Sequence, residues 1–413
     1  MMMETSTFRI QRHLEQLAEF TSTPGQGTTR MSYSEQDKQA RAYLKEQMHL
    51  LGLQVREDAI GNLYGRLEGT ESGLPAVMIG SHFDSVPNGG AFDGPAGIVA
   101  GLDVVARIRE QQLQPRYPLE VIALVEEEGT SFGRGLMASS VITGLIGRQE
   151  LHQLTDRQGI SAAQRMADAG FNADKAAEAV LVPSTVKAFL ELHIEQGPVL
   201  EQANEDVGIV DIIVGIAQLE VKLTGKAGHA GTTPMHMRAD ALVCASHIIS
   251  QIANIAITVG ESTVATVGRL NVLPNGANVI PSEVTFSVDI RSRNETALRQ
   301  AIAQIIALVE QESTKRNIQS DVIQPLYVSP TKLAPEIHQL MVNHAQKQGL
   351  RYRTMVSGAG HDTMIFAGIT ATGLIFVPSR NGLSHHPDEW TDYEQIARGV
   401  DVMFESVRSL TEC

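Results

Sequence analysis

The 413-residue sequence predicts an α/β fold with a second, α+β domain inserted into it. Three observations carry this expectation. Apolar runs of strand length, such as AVMIGSHF (76–83) and ATGLIFVPS (371–379), recur towards both ends of the chain and alternate with segments of helical periodicity. That alternation is the pattern of a sheet with helices on both faces. The middle of the chain instead reads β-α-β-β-α-β, and the length exceeds that of one typical domain.

Taken in order, residues 8–22 and 34–52 read as helices. In the second, Ala40, Leu44, Met48 and Leu51 share a face, Ser34 can cap the start and Gly52 can close the end. AVMIGSHF breaks at a Gly-rich turn, as a buried strand does. GPAGIVAGLDVVARIREQ (94–111) is helical and carries small residues for close packing. LEVIALVEEEG (119–129) is an apolar strand ending in three glutamates, and VKAFLELHIEQG (186–197) repeats the design. In AQLEVKLTG (217–225), Leu219, Val221 and Leu223 alternate onto one face. A helix over about 239–257, strands over 263–273 and 283–292, a helix over 295–312 and a strand over 319–327 complete the order of a ferredoxin-like sandwich. Hinges are expected near 208–215 and at Ser329–Pro330. The expected domains are therefore 1–212 together with 330–413, and 213–329.

The composition is that of an ordinary globular chain, 43% hydrophobic and 19% charged. The net charge of −14 disfavours nucleic acid and anionic membrane as partners. Cys244 and Cys413 cannot build a disulfide framework, and a reducing cytoplasm is the expected setting. The first twenty residues contain no apolar h-region, and no 18-residue apolar run appears, so neither a signal peptide nor a membrane span is expected.

The candidate chemistry sits at the strand ends. In SHFDS, His82 and Asp84 are two apart and share a face if the strand continues that far. A carboxylate there can orient the imidazole. Asp93 follows a turn at Asn88-Gly89-Gly90 and precedes a helix, where it could equally be an N-cap. The three carboxylates of EEEG (126–129) repel one another unless a cation or solvent relieves them. ELHIEQGP (191–198) puts His193 in an apolar strand, with Glu191 and Glu195 in phase; a core histidine is the plainer reading. GLSHHPDEW (382–390) adds His385 and His386. Four strand ends thus deliver imidazole and carboxylate with no thiolate, which suits Zn²⁺, Mn²⁺, Co²⁺ or Ni²⁺. Ligands of open α/β sheets gather at such ends. Two ions sharing a carboxylate would acidify a water, with a spare glutamate as general base. HExxH and Walker motifs are absent.

These residues resemble the two-metal amidohydrolase and peptidase superfamily, and within it the hydantoinase/carbamoylase branch. GSHFDSVPNGGAFDG, EEEG, ELHIEQGPVLE, AGHAGTTPM, NVIPSEVTFSVDIR, SGAGHD and GLSHHPDEW occur in the expected order along nearly the whole chain. The resemblance implies a mixed-sheet di-metal hydrolase domain with an inserted ferredoxin-like lid and dimerisation domain. It implies that His82 and His193 bind one divalent ion, that Glu128 and His385 bind the other, and that Asp93 bridges them. Glu127 would be the general base and Asp84 the residue that orients His82. His229 would stabilise the oxyanion, reaching into a partner subunit's site. Asn278 and Arg291 would hold the substrate carboxylate, with Gln196, Gly360 and His361 lining the pocket. A homodimer acting on a small ureido or N-acyl acid is implied: an N-carbamoyl-L-amino acid, with allantoate, another ureido acid or a dipeptide as alternatives. A non-catalytic metal-stabilised binding protein is the remaining reading, against which Glu127 stands. The chain departs from the branch pattern at Thr130-Ser131, at His386, which leaves His385 and His386 competing for one role, and over 214–221.

Overall fold

The computed structural model describes residues 5–260 and 262–413. The chain divides into two compact units. The first comprises the residues up to Asp211, Lys332–Met355 and His361–Cys413; the second comprises Ile212–Thr331 and Val356–Gly360.

The first unit is built on a mixed sheet. Its strands lie in the order Gln54–Glu57, Leu63–Leu67, Leu119–Leu124, Ala76–His82, Val186–Ile194, Ala371–Val377, Val207–Ile213 and Thr331–Lys332, with Tyr352–Ser357 also paired to Val207–Ile213. The four central strands run parallel, with His82 opposite Leu124, Ile79 opposite Leu190 and Phe376 opposite His193. All are buried almost throughout. They therefore read as continuous apolar runs rather than as alternating strands. Their carboxyl ends lie on one edge of the sheet, which is where the candidate residues occur.

Helices Ser6–Ala18, Pro95–Glu110, Pro335–Lys347 and Tyr393–Thr411 pack on one another and on the central strands. Pro95–Glu110 lies close enough that a Cβ on Gly97 would stand 2.5 Å from the Leu192 carbonyl oxygen. Its small residues thus serve the close approach they suggested. Glu35–Leu50 starts at Ser34, whose hydroxyl accepts from the Asp37 amide as a capping residue should. Short helices fill 137–179, a region in which the periodicity was too brief to show them.

The second unit has the expected β-α-β-β-α-β order. Its antiparallel sheet runs Leu270–Leu273, Glu283–Ser292, Gly215–Thr224, Gln319–Val328, with Thr263–Thr266 paired further along Glu283–Ser292. The strand expected over 263–273 is therefore broken at 267–269, where Gly268 sits, and both halves pair with the same neighbour. Helices Ala241–Val259 and Glu295–Lys315 cover one face, closing a core of Leu219, Val221, Ile248, Phe286 and Ile305. Ala241–Val259 bears on the expectation of no membrane span. By length and composition it could cross a membrane. Uncharged polar residues (Ser246, His247, Ser250, Gln251 and Asn254) interrupt its apolar run in the sequence. Its Cys244, Ala245, Ile248 and Ile252 are buried in this core.

Val356–Gly360, expected in the first domain, groups with the second. The Val214 amide donates to the Ser357 carbonyl and Arg291 Nη1 to the Gly358 carbonyl, which ties this segment there.

Candidate metal centre

His82 ends its strand, so Asp84 lies beyond it and the shared face expected of the two does not form. The imidazole is oriented all the same. His82 Nδ1 lies 3.1 Å from the main-chain oxygen of Asp84, while the carboxylate stays 3.6 Å away. That carboxylate is committed elsewhere: it accepts the amides of Glu127 at 3.1 Å and Glu128 at 3.2 Å. Asp84 therefore orients His82 through its backbone and uses its side chain to hold the glutamate turn.

The turn itself separates three adjacent carboxylates. Glu126 adopts a left-handed backbone, with φ 53°, which an L-residue enters at a cost of about 1–2 kcal/mol. Its carboxylate folds back to accept the amides of Ser131 and Phe132. Glu127 and Glu128 instead turn towards the histidines. Glu127 Oε2 lies 3.8 Å from His82 Nε2, and Glu128 Oε2 lies 3.4 Å from His385 Nε2.

Asp93 is the point of convergence. Its Oδ1 stands 3.5 Å from His82 Nε2 and 3.1 Å from His193 Nε2, and its Oδ2 stands 3.2 Å from His385 Nε2. Gly94, not Asp93, is the residue before Pro95–Glu110, so the N-cap alternative does not describe it. Only glycine fits at 94: its φ is +82°, and a Cβ would lie 2.5 Å from the His82 ring. His193 Nδ1 is taken by the Ile194 carbonyl, which leaves Nε2 for the centre. His385, in a left-handed conformation with φ 56°, faces Asp93 and Glu128. The exposed His386 accepts from the Asp388 amide.

The electrostatics follow from packing charges together without water. Burial alone would raise the Asp93 carboxyl, but hydrogen bonds with His193, His385 and His82 hold it well below the usual range. Burial, and then the charge of Asp93, push Glu128 up to about 8. Burial likewise raises Glu127 well above the ordinary value. Hydrogen bonding to Asp93 lifts His385 to about 9.

A cation fits this arrangement. The donors are imidazole nitrogens and carboxylate oxygens only. Asp93 with His82 and His193, and Asp93 with Glu128 and His385, each bring three donor atoms within 4.8 Å of one another. His82, Glu127 and Glu128 form a further such group. Glu128 Oε1 is buried with no hydrogen-bond partner. Such an orphan acceptor is costly unless something positive meets it.

A pH dependence follows. The His385–Asp93 pair steadies the ion-free fold fully below the ordinary histidine value of 6.5, and that contribution fades as pH rises through about 9. A cation held by His385 would have to displace the same proton. Metal affinity is therefore expected to strengthen from pH 7 to pH 9. Competition titration against a chelator at the two values checks it, and equal affinities would contradict it.

The second unit places the remaining residues. Strands Gly228–His229 and Val279–Ile280 form a two-stranded ribbon with His229 opposite Val279, and the Ala230 amide donates to the Asn278 carbonyl. His229 and Asn278 thus lie together and exposed. His229 Nδ1 accepts from the amides of Gly231 and Thr232, which assigns its proton to Nε2. Arg291 lies on the sheet face that the helices leave uncovered. Its Nε donates to Asp289 at 2.8 Å and its Nη1 to the Gly358 carbonyl at 2.8 Å.

Residues 78–409 match the family model described as Peptidase family M20/M25/M40. The chain belongs to this family. Among its relatives are the N-carbamoyl-L-amino-acid amidohydrolase of Paenarthrobacter aurescens, 41% identical with 97% of each chain covered, and the allantoate amidohydrolase of Escherichia coli K12, 36% identical with 95% of each covered. A crystal structure of a hydantoinase/carbamoylase family amidase from Burkholderia multivorans superposes with a TM-score of 0.89, at 32% identity and with 98% of each chain covered.

For this family member, Glu389 and Ser384 at the centre escaped the sequence reading, and other residues meet partners it did not name. Gln196, expected to line the pocket, turns onto Asp93: its Nε2 donates to Asp93 Oδ2 at 2.8 Å and to Ser384 Oγ at 3.1 Å. Its φ of 57° makes that possible. Glu389, buried among these groups, reads in sequence as one more acidic loop residue. Glu191 accepts from Ser81 and Thr363 beneath the centre, whereas Glu195 accepts the amides of Val199 and Leu200 and so serves a helix start. Being in phase with His193 was a sound signal for the first and a misleading one for the second. His361 is buried edge-on against His193, with ring centroids 4.6 Å apart, and burial lowers its imidazole well below the ordinary value.

Proposed function

We propose that this protein hydrolyses the linear ureido C–N bond of N-carbamoyl-L-amino acids, releasing the amino acid, ammonia and carbon dioxide. The observation that carries the proposal is the convergence of three histidines on Asp93 with Glu127 and Glu128 alongside. Similarity to carbamoyl amino acid hydrolases over 97% of the chain supports the substrate class.

In this reading His82, His193, Glu128 and His385 would hold two divalent ions, Zn²⁺, Mn²⁺, Co²⁺ or Ni²⁺, with Asp93 as the ligand common to both sets. When bound, the ions supply an acidified water and a polarised ureido carbonyl. Glu127 accepts the proton of the attacking water and returns it to the leaving nitrogen. Burial raises its carboxyl well above the ordinary value, the direction that suits a group that takes and returns a proton. His229 donates through Nε2 to the developing oxyanion, the tautomer its two backbone amides enforce. Arg291 pairs with the substrate carboxylate, its Nε held by Asp289 so that the planar fork is oriented beforehand. Asn278 contributes a further donor, and Gly360 and His361 line the pocket. The second unit acts as lid and dimerisation domain of a homodimer.

The test is ammonia release from a panel of N-carbamoyl-L-amino acids, allantoate and dipeptides, after chelation and reloading with each ion. Ammonia from the carbamoyl amino acids is expected. Turnover confined to allantoate would move the assignment to that ureido acid. Cleavage of dipeptides alone releases no ammonia and would refute the ureido reading.

A further inference from the structure

We propose that Glu389 is the positioning residue of the metal centre: its buried carboxylate locks the loops that present Asp93 and His385 and thereby sets the affinity for the ion they share. The inference rests on the reading of those two residues as ligands.

Asp93 sits in a turn, where no strand partner is available for its amide. Glu389 Oε1 takes that role, accepting from both Phe92 N and Asp93 N at 3.1 Å. Its Oε2 accepts from Ser384 Oγ at 2.8 Å. Ser384 is the neighbour of His385, so one carboxylate grips both loops. The hydroxyl has a single proton. Glu389 is its nearer acceptor, with Asp93 Oδ2 at 3.2 Å, and the oxygen is then free to accept from Gln196 Nε2. Gln196 also donates to Asp93 Oδ2. Glu389 thus orders the whole set of donors around the proposed bridging ligand.

Two further observations separate this from a chance surface contact. Glu389 is only 4% exposed, and it belongs to none of the possible ion-holding groups among the described residues. Both its oxygens already meet donors, so it acts through Asp93 and not as a ligand. Room for it depends on Gly90, where a Cβ would stand 2.0 Å from Glu389 Oε1 and 2.4 Å from its Cβ. A partner that aligns a ligand from behind in this way typically contributes 10–100-fold in metal affinity.

The experiment uses the full chain, stripped of metal and titrated with Zn²⁺ and with Mn²⁺ against a chromophoric chelator. Wild type is compared with Glu389→Ala, Glu389→Gln, Gly90→Ala and Ser384→Ala, and melting of each metal-free variant reports on the fold. Glu389→Ala is expected to weaken one ion by about 10–100-fold. Gly90→Ala should do the same, because its methyl displaces the carboxylate. Glu389→Gln, which keeps an oxygen for the two amides, should lose less. Wild-type affinity in both Glu389 variants overturns the proposal. Should Glu389→Ala not fold, Ser384→Ala decides: it cuts the link to the His385 loop, and an unchanged affinity there overturns the proposal too. A wild-type chain that binds no ion at all refutes the metal-centre reading itself and the proposal with it, a failure distinct from the others.

Discussion

Glu127→Gln is expected to lower turnover of N-carbamoyl-L-amino acids by about 10²–10⁴-fold while leaving the bound metal in place, because removal of a general base costs that much. The substitution keeps the shape of the side chain and removes its ability to take a proton. The Glu127 amide is held by Asp84, so the turn should keep its path. Glu127 Oε2 is also the most distant of the carboxylate oxygens from its histidine, at 3.8 Å from His82 Nε2, against 3.1–3.5 Å for the contacts of Asp93. The check is kcat measured together with metal content by elemental analysis. Normal turnover with metal bound would remove Glu127 from the mechanism. Loss of the metal along with the activity would make it a ligand.

Asp93→Asn is expected to weaken metal binding by more than 100-fold, beyond what an orienting partner contributes. Three histidines address this one carboxylate, and among the described residues no other side chain meets them all. The amide retains the volume but offers one neutral oxygen where two anionic ones stood. In the ion-free protein the consequence is milder. Asp93 is held ionised well below the ordinary value, so its pairing with the histidines stabilises the fold above the unfolded carboxylate range and is lost as pH falls through its lowered value. Against that, removing its charge relieves Glu128, which Asp93 helps to push up to about 8. Chelator competition should therefore show a large loss, and melting of the ion-free variant a small shift. An Asp93→Asn protein that binds two ions with wild-type affinity would contradict the bridging role.

Much of this was legible along the chain. The apolar runs ending at His82, at the glutamates and at His193 marked parallel strands, because burial on both faces leaves no alternation to read. Leu219, Val221 and Leu223 marked a half-buried strand by alternation, and the β-α-β-β-α-β order followed. Donor types at strand ends were visible as well, since both the strand end and the residue type are local properties. Break points were less legible. Residues 263–273 read as one strand although the ladder is interrupted at 267–269, and the brief helices of 137–179 left no periodic signal.

The sequence by itself determined the fold class, the order of the elements, the family motifs and the residue types at the centre. The tertiary structure alone decided which atoms meet. It turned the Asp84 carboxylate from His82 onto two backbone amides, chose His385 over His386 through a left-handed residue, sent Glu126 away from its two neighbours, and drew Gln196, Ser384 and Glu389 around Asp93. The physical reason is range. Strand and helix signals arise from burial periods within a few residues. Hydrogen-bond partners at a loop cluster are set by how segments nearly three hundred residues apart close on one another.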